Sequence, residues 1–174
     1  MQNNGGFRLK EAFRGFRTIA LFTALSSTAL SCVNAKMDTY AKQVDTRIGT
    51  GGHGHVFVGA NVPFGMVQLG PTSVPQEWDW TSGYDASDST VIGFSHTHLS
   101  GTGIGDLFDI TVMPVVGKSV YERGKVGQPE TGLWSYADRS KEISIPGYYS
   151  VPLTRYGILA ELTATDRVGL HRYT

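Results

Sequence analysis

An all-β fold, an antiparallel β-sandwich, is predicted by three features of the sequence. Apolar and β-branched runs recur at short intervals, turn-forming Gly, Pro, Asn and Asp separate them, and no segment beyond residue 35 carries a 3.6-residue apolar period. The runs fall at residues 55–58, 66–69, 90–94, 109–116, 148–153, 156–164 and 168–173. With 174 residues, 40% of them hydrophobic and 17% charged, the chain has enough apolar surface for one domain with its own core.

The first run follows a glycine-dense stretch, Gly49-Thr50-Gly51-Gly52-His53-Gly54-His55, which reads either as a loop shaped around a ligand or as a flexible entry to a strand. Asn61-Val62-Pro63 closes that run, with Pro63 fixing φ and leaving Phe64 on the rim of a turn. Asp109 opens the fourth run and Gly117-Lys118 ends it, while Pro146-Gly147 introduces the fifth. In the sixth, Ile158, Ala160 and Leu162 share one face and Leu159, Glu161 and Thr163 the other. The last run reads as the middle of a strand, so the reading frame is expected to continue beyond Thr174.

Ahead of the domain, Arg8, Lys10, Arg14 and Arg17 precede an uncharged apolar run and then small residues. Residues 1–35 therefore read as an export signal, too short in its apolar part for a permanent membrane span. Val33-Asn34-Ala35 offers a cleavage site for soluble export, whereas Ala29-Leu30-Ser31-Cys32 loosely resembles a lipoprotein box that would acylate Cys32 and tether the protein to a membrane. Cys32 is the only cysteine, which excludes an intrachain disulfide. A polar linker follows at 36–42, and the sandwich domain is assigned to 43–174. Residues 36–174 carry 11 basic against 14 acidic side chains, a net charge of −3, which argues against a nucleic-acid partner.

Chemistry-bearing residues concentrate between Glu77 and Asp109. Trp78 and Trp80 flank Asp79, and a ring that stacks on the C–H face of a sugar beside a carboxylate that accepts its hydroxyls suits a carbohydrate; two core-anchoring tryptophans are the structural alternative. His96 and His98 stand at i, i+2, where a strand projects both imidazoles from one face, a pattern open to metal binding, ligand hydrogen bonding or packing. Asp106 and Asp109 are not placed as a glycosidase carboxylate pair, and no phosphate loop or nucleophile elbow is present.

Four segments occur in order: Val44-Asp45-Thr46-Arg47-Ile48-Gly49-Thr50, Gly59-Ala60-Asn61-Val62-Pro63-Phe64-Gly65-Met66-Val67-Gln68-Leu69, Ser82-Gly83-Tyr84, and Gly93-Phe94-Ser95-His96-Thr97-His98-Leu99-Ser100-Gly101-Thr102-Gly103. Together they resemble the N-terminal domain of glycoside hydrolase family 92, the exo-acting α-mannosidases often found in glycan-foraging gut bacteria. The resemblance implies an N-terminal β-sandwich joined to a larger helical (α/α) domain outside this sequence, with the active site between them. It implies a calcium-dependent, inverting hydrolysis of terminal mannose from N-glycans or mannans, with the catalytic acid and base and most calcium contacts in the helical domain. No catalytic residue and no metal ligand is thus assigned to this chain, which is expected to be inactive alone. By position in the matching segments, Trp78 with Asp79 is expected to contact the sugar, and Phe64, Gly65, Tyr84, His96 and His98 to line the pocket or brace its wall. The 51–55 loop departs from the family pattern and leaves the mannosidic linkage open. The implied location is the periplasm or outer surface of a bacterium. The competing readings are a stand-alone carbohydrate-binding module and a small metal-dependent enzyme using His96 and His98.

Overall fold

Short turns dictate the larger sheet. Pro146 fixes φ and Gly147 takes a φ of 78°, so strand β8 (Ile143–Ile145) reverses directly into β9 (Tyr148–Leu153). Gly157, at φ 63°, turns β9 into β10 (Ile158–Ala164). Thr165 then turns β10 into β11 (Gly169–Tyr173), its N–H donating to the carbonyl of Val168 and its hydroxyl accepting from the N–H groups of Arg167 and Val168. The order β11-β10-β9-β8 is antiparallel throughout. These strands belong to a computed structural model that describes residues 40–101, 105, 108–125 and 127–174, with the fold carried by the unit Val44–Thr174. The expected export signal, Cys32, most of the 36–42 linker and Asp106 lie outside the described residues. No helix among the described residues is long and apolar enough to cross a membrane.

A second layer is built from β1 (Ala60–Asn61), β2 (Gln68–Thr72) and β4 (Gly93–Ser95), antiparallel in the order β1-β2-β4. Two further pairs complete the strands, β3 (Thr90–Val91) with β7 (Ser135–Tyr136) and β5 (Arg123–Lys125) with β6 (Gln128–Gly132). The alternation in β10 buries Ile158, Ala160 and Leu162 beside Tyr149, Val151 and Leu153 of β9. This face meets Val58, Ala60, Leu69, Val91 and Phe94 in one core, the two-layer arrangement of a β-sandwich.

Several strand limits differ from the sequence expectation. The 55–58 run is not a strand, because His55 sits at φ 50° and ends a 3-10 turn at Gly52–Gly54. The 109–116 run contributes only the bridge between Val112 and Phe94, since Phe108 at φ 51° and Ile110 at φ 54° leave extended geometry. The 66–69 run shifts forward into β2, through Gly70 and Pro71. Phe94, opposite Pro71, directs both its backbone hydrogen bonds to Val112, so the nitrogen that lacks a proton faces away from β4 and costs no ladder bond. Pro152 in β9 obeys the same rule, because Leu159 opposite it pairs instead with Thr174. The strands from Arg123 to Tyr136 lack the alternation that would have revealed them, and β8 alternates over only three residues; Trp134 is fully buried, edge-on to Tyr136 at 4.9 Å.

One ionic hub lies inside the fold. Glu142, with 3% of its side chain exposed, accepts hydrogen bonds from Arg139 at 2.6 Å, from the Tyr84 hydroxyl at 3.1 Å and from the Tyr149 hydroxyl. Arg139 also donates to the Asp88 carbonyl and lies over the Tyr84 ring, 4.6 Å from its centre. Thr46 and Arg47 strap the start of the domain to this region, donating to the carbonyls of Ser144 at 3.0 Å and Glu142 at 2.9 Å. Burial pushes the Tyr84 hydroxyl up to about 12 and the Tyr149 hydroxyl well above its ordinary value. For a tyrosine whose folded value is raised, the contribution to stability is fully present below the unfolded value of about 10 and is lost as pH rises through 12. The denaturation midpoint is therefore expected to fall above pH ~10, and Tyr84→Phe to flatten that fall. Chemical denaturation followed across alkaline pH, with tyrosinate absorbance recorded in parallel, checks it.

Candidate functional site

The glycine-dense stretch forms a closed loop. The Val56 N–H donates to the Gly49 carbonyl at 3.3 Å, the Gly54 N–H to Gly51 at 3.3 Å, and the Ala86 N–H to Thr50 at 2.8 Å. Gly54 allows this closure, because a Cβ there would lie 2.0 Å from the Gly49 oxygen. The loop presents His53 and His55 to a 3-10 turn at Trp78–Trp80. Both imidazoles donate to one carboxylate oxygen, His53 Nδ1 to Asp79 Oδ1 at 2.6 Å and His55 Nε2 to the same atom at 3.2 Å. The hydrogen bond from His53 is the main cause that holds the Asp79 carboxyl below its ordinary value; the bond from His55 and both imidazole charges add to it against some desolvation.

Trp78 stands beside this group with 55% of its surface exposed, its ring meeting the edge of His55 at 4.1 Å and tilted against His53 at 5.5 Å. Exposed indole area braced by two imidazoles and adjacent to an ionised carboxylate is a stacking platform with a hydrogen-bond acceptor at its side. A cleft of about 300 Å³ opens next to it, lined by Gly52, Gln76, Glu77, Asp79, Trp80, Asp85 and Asp88 among others. Trp80 is anchored instead, its indole N–H donating to the Ser73 carbonyl at 3.1 Å and its ring edge-on to Phe108 at 5.0 Å.

The other residues singled out in the sequence lie elsewhere. Phe64 projects wholly into solvent from a φ of 62°, and Gly65 behind it donates its N–H to the Val62 carbonyl at 3.0 Å. Tyr84 is buried in the core with its hydroxyl on Glu142. His96 and His98 do not share a strand face, because β4 ends at Ser95 and the two rings diverge. His98 is buried, stacked on Phe57 at 4.9 Å and donating from Nδ1 to the Gln68 carbonyl at 2.7 Å. His96 donates from Nδ1 to the Ile110 carbonyl at 2.7 Å and meets His171, Nε2 to Nε2, at 3.1 Å. Burial, followed by repulsion from His96, lowers His171 below the ordinary histidine value.

His53 and His55 are the functional candidates that the sequence alone left unassigned. Their repeated imidazoles in a glycine loop, together with one acid between two tryptophans, are the signal that points to them in retrospect. Gly54→Ala is expected to break the loop closure and cost about 1–3 kcal/mol. It should also displace the imidazole resonances of His53 and His55, which NMR and thermal melts read directly.

The N-terminal domain profile of glycosyl hydrolase family 92 matches residues 43–174. An uncharacterized secreted glycosidase of Arthroderma benhamiae is 31% identical over 134 residues, covering 76% of this chain and 17% of that protein. Among solved structures, a family 92 α-mannosidase from Bacteroides thetaiotaomicron, in complex with mannoimidazole, superposes with a TM-score of 0.74 and 41% identity, over 77% of this chain and 18% of that one. A second family 92 glycosyl hydrolase gives a TM-score of 0.65 and 30% identity, over 78% of this chain and 19% of that one. The chain thus spans less than a fifth of the length of each of these relatives.

Proposed function

Because the chain belongs to glycosyl hydrolase family 92, whose N-terminal domain it matches, we propose that it forms the sandwich-side wall of an α-mannosidase active site. The observation that carries this reading is Trp78, exposed and braced beside an ionised Asp79. Among the described residues both imidazole bonds fall on Asp79 Oδ1, which leaves Oδ2 to accept a hydroxyl of a mannoside stacked on the indole. Tyr84, His96 and His98 act behind that wall as bracing groups, and Phe64 with Gly65 belongs to a rim facing the rest of the enzyme.

The acid that protonates the leaving oxygen and the base that activates water lie, in this proposal, in a helical domain beyond this chain, and hydrolysis inverts the anomeric centre. The substrate is terminal mannose on N-glycans or mannans. Calcium is assigned to the same outside domain. Among the described residues no three His, Cys, Asp or Glu side chains are grouped to hold a metal ion, and two of the cleft carboxylates are engaged locally, Asp85 by Ser87 and Asp88 by Gln76 and Thr90. The described residues of the chain therefore do not form a calcium cage of their own. Export to the periplasm or the outer surface, with or without acylation of Cys32, places the enzyme where glycans are met.

The purified chain is expected to bind methyl α-mannoside in calorimetry and to release no mannose from an α-mannoside. Mannose release by the chain alone, shown free of contaminating enzyme by its loss in an Asp79→Ala variant, would overturn the proposed division of labour. Absence of any mannoside binding, to the chain or to the enzyme that contains it, would sink the assignment of Trp78 and Asp79.

A further inference from the structure

We propose that His96 and His171 form a binding site for one borderline divalent cation of the zinc or copper type, separate from the Trp78 and Asp79 site. The starting observation is the 3.1 Å approach of the two Nε2 atoms. A carbonyl only accepts, so the 2.7 Å contact of His96 Nδ1 with the Ile110 oxygen fixes the proton on Nδ1 and leaves the Nε2 lone pair directed at His171. His171 Nδ1 lies 2.7 Å from the Tyr173 hydroxyl, which can donate or accept. With that hydroxyl accepting, His171 carries its proton on Nδ1 and its Nε2 also offers a lone pair. Two such nitrogens repel until a proton or a metal cation stands between them; with the hydroxyl donating instead, His171 keeps its proton on Nε2 and closes an N–H···N hydrogen bond to His96, which a metal ion would replace. Imidazole–metal bonds of about 2.0–2.1 Å at a tetrahedral angle place the two nitrogens about 3.3 Å apart. The rings therefore need to separate by only a few tenths of an ångström.

The pair is held in this arrangement from both sides. Ile110 is a β-branched residue at φ 54°, next but one to Phe108 at φ 51°, and this strained backbone is what turns the Ile110 carbonyl onto His96. It is pinned by the Asp109 N–H on Thr97 Oγ1, by the His96 N–H on the Asp109 carbonyl and by Thr111 Oγ1 on the Phe108 carbonyl. From the other side, β11 presents His171 opposite Leu162, and Gly169 gives the His96 ring room, since a Cβ there would lie 2.9 Å from Cδ2. Ligating histidines characteristically donate their second nitrogen to a carbonyl or another oxygen, and both rings have such a partner. Neutral imidazoles select zinc, copper or nickel over calcium, which takes oxygen ligands. Both rings are half-buried, so water reaches the remaining coordination positions, as the lack of a third grouped protein ligand among the described residues requires.

The test titrates Cu²⁺ into the purified protein and reads its electron paramagnetic resonance, with Zn²⁺ as competitor. The expected result is one equivalent of bound Cu²⁺ with coupling to two imidazole nitrogens, displaced by Zn²⁺ and not by Ca²⁺. His171→Gln and, independently, His96→Gln should weaken it by at least about tenfold, and Tyr173→Phe, which removes only the outer hydrogen bond, by about tenfold. Having two ligand variants guards against one that fails to fold. A double His53→Gln/His55→Gln variant should keep the signal. The proposal is overturned if Cu²⁺ couples to one nitrogen or none, if binding survives both ligand substitutions, or if the signal disappears with His53 and His55 instead.

Discussion

Glu142→Ala is expected to cost about 3–5 kcal/mol, the largest loss from any single substitution considered, because it leaves a charge buried without its partner. Arg139 keeps its bonds to the Asp88 carbonyl but loses the carboxylate at 2.6 Å, while the Tyr84 and Tyr149 hydroxyls lose their acceptor at once. Glu142→Gln retains an acceptor oxygen and should cost less. The paired replacement Glu142→Leu with Arg139→Met should recover most of the loss, since a buried ion pair exchanged for packed apolar side chains is often neutral or better. Urea denaturation of the four proteins decides the matter: if Glu142→Ala and Glu142→Gln lose equally little, the hub contributes no net stability.

The largest functional effect is expected from Asp79→Ala. Loss of a charged acceptor to a bound hydroxyl costs about 1.5–3 kcal/mol, or roughly a tenfold to hundredfold fall in kcat/KM toward α-mannosides for the enzyme containing this domain. Asp79 lies at the surface with 40% of its side chain exposed, so its removal should leave the melting temperature nearly unchanged. Trp78→Ala should reduce mannoside affinity in the same direction through lost stacking. If steady-state kinetics show neither variant differing from the parent, the sandwich wall does not touch the sugar and the proposed role fails.

How much of this was legible in the sequence depends on whether the determining contact is local. The Pro146-Gly147 reversal and the alternation through Ile158, Ala160 and Leu162 were readable because a turn and a strand face are set by neighbouring residues. The passage of β2 through Gly70 and Pro71 was not, because its tolerance depends on which way the Phe94 backbone turns, and that is fixed by Val112. The 109–116 run misled for a related reason: its apolar residues suit a strand, yet the backbone at Phe108 and Ile110 is diverted to carry hydrogen bonds to the 94–97 segment. Around the candidate site, Trp78 and Asp79 were visible as a grouping in the chain. Their union with His53 and His55 spans 24 and 26 residues and appears only once the glycine loop has closed.

The strap from Thr46 to Ser144 closes across 98 residues, the longest reach of any side-chain bond described above. At a synthesis rate of about 5–20 residues per second, its two ends emerge from the ribosome about 5–20 s apart. During that interval Thr46 and Arg47 lack their partners at Ser144 and Glu142, whereas β8 to β11, joined by successive hairpins, can pair as soon as they appear. The first residues of the domain to be made are thus among the last to be secured.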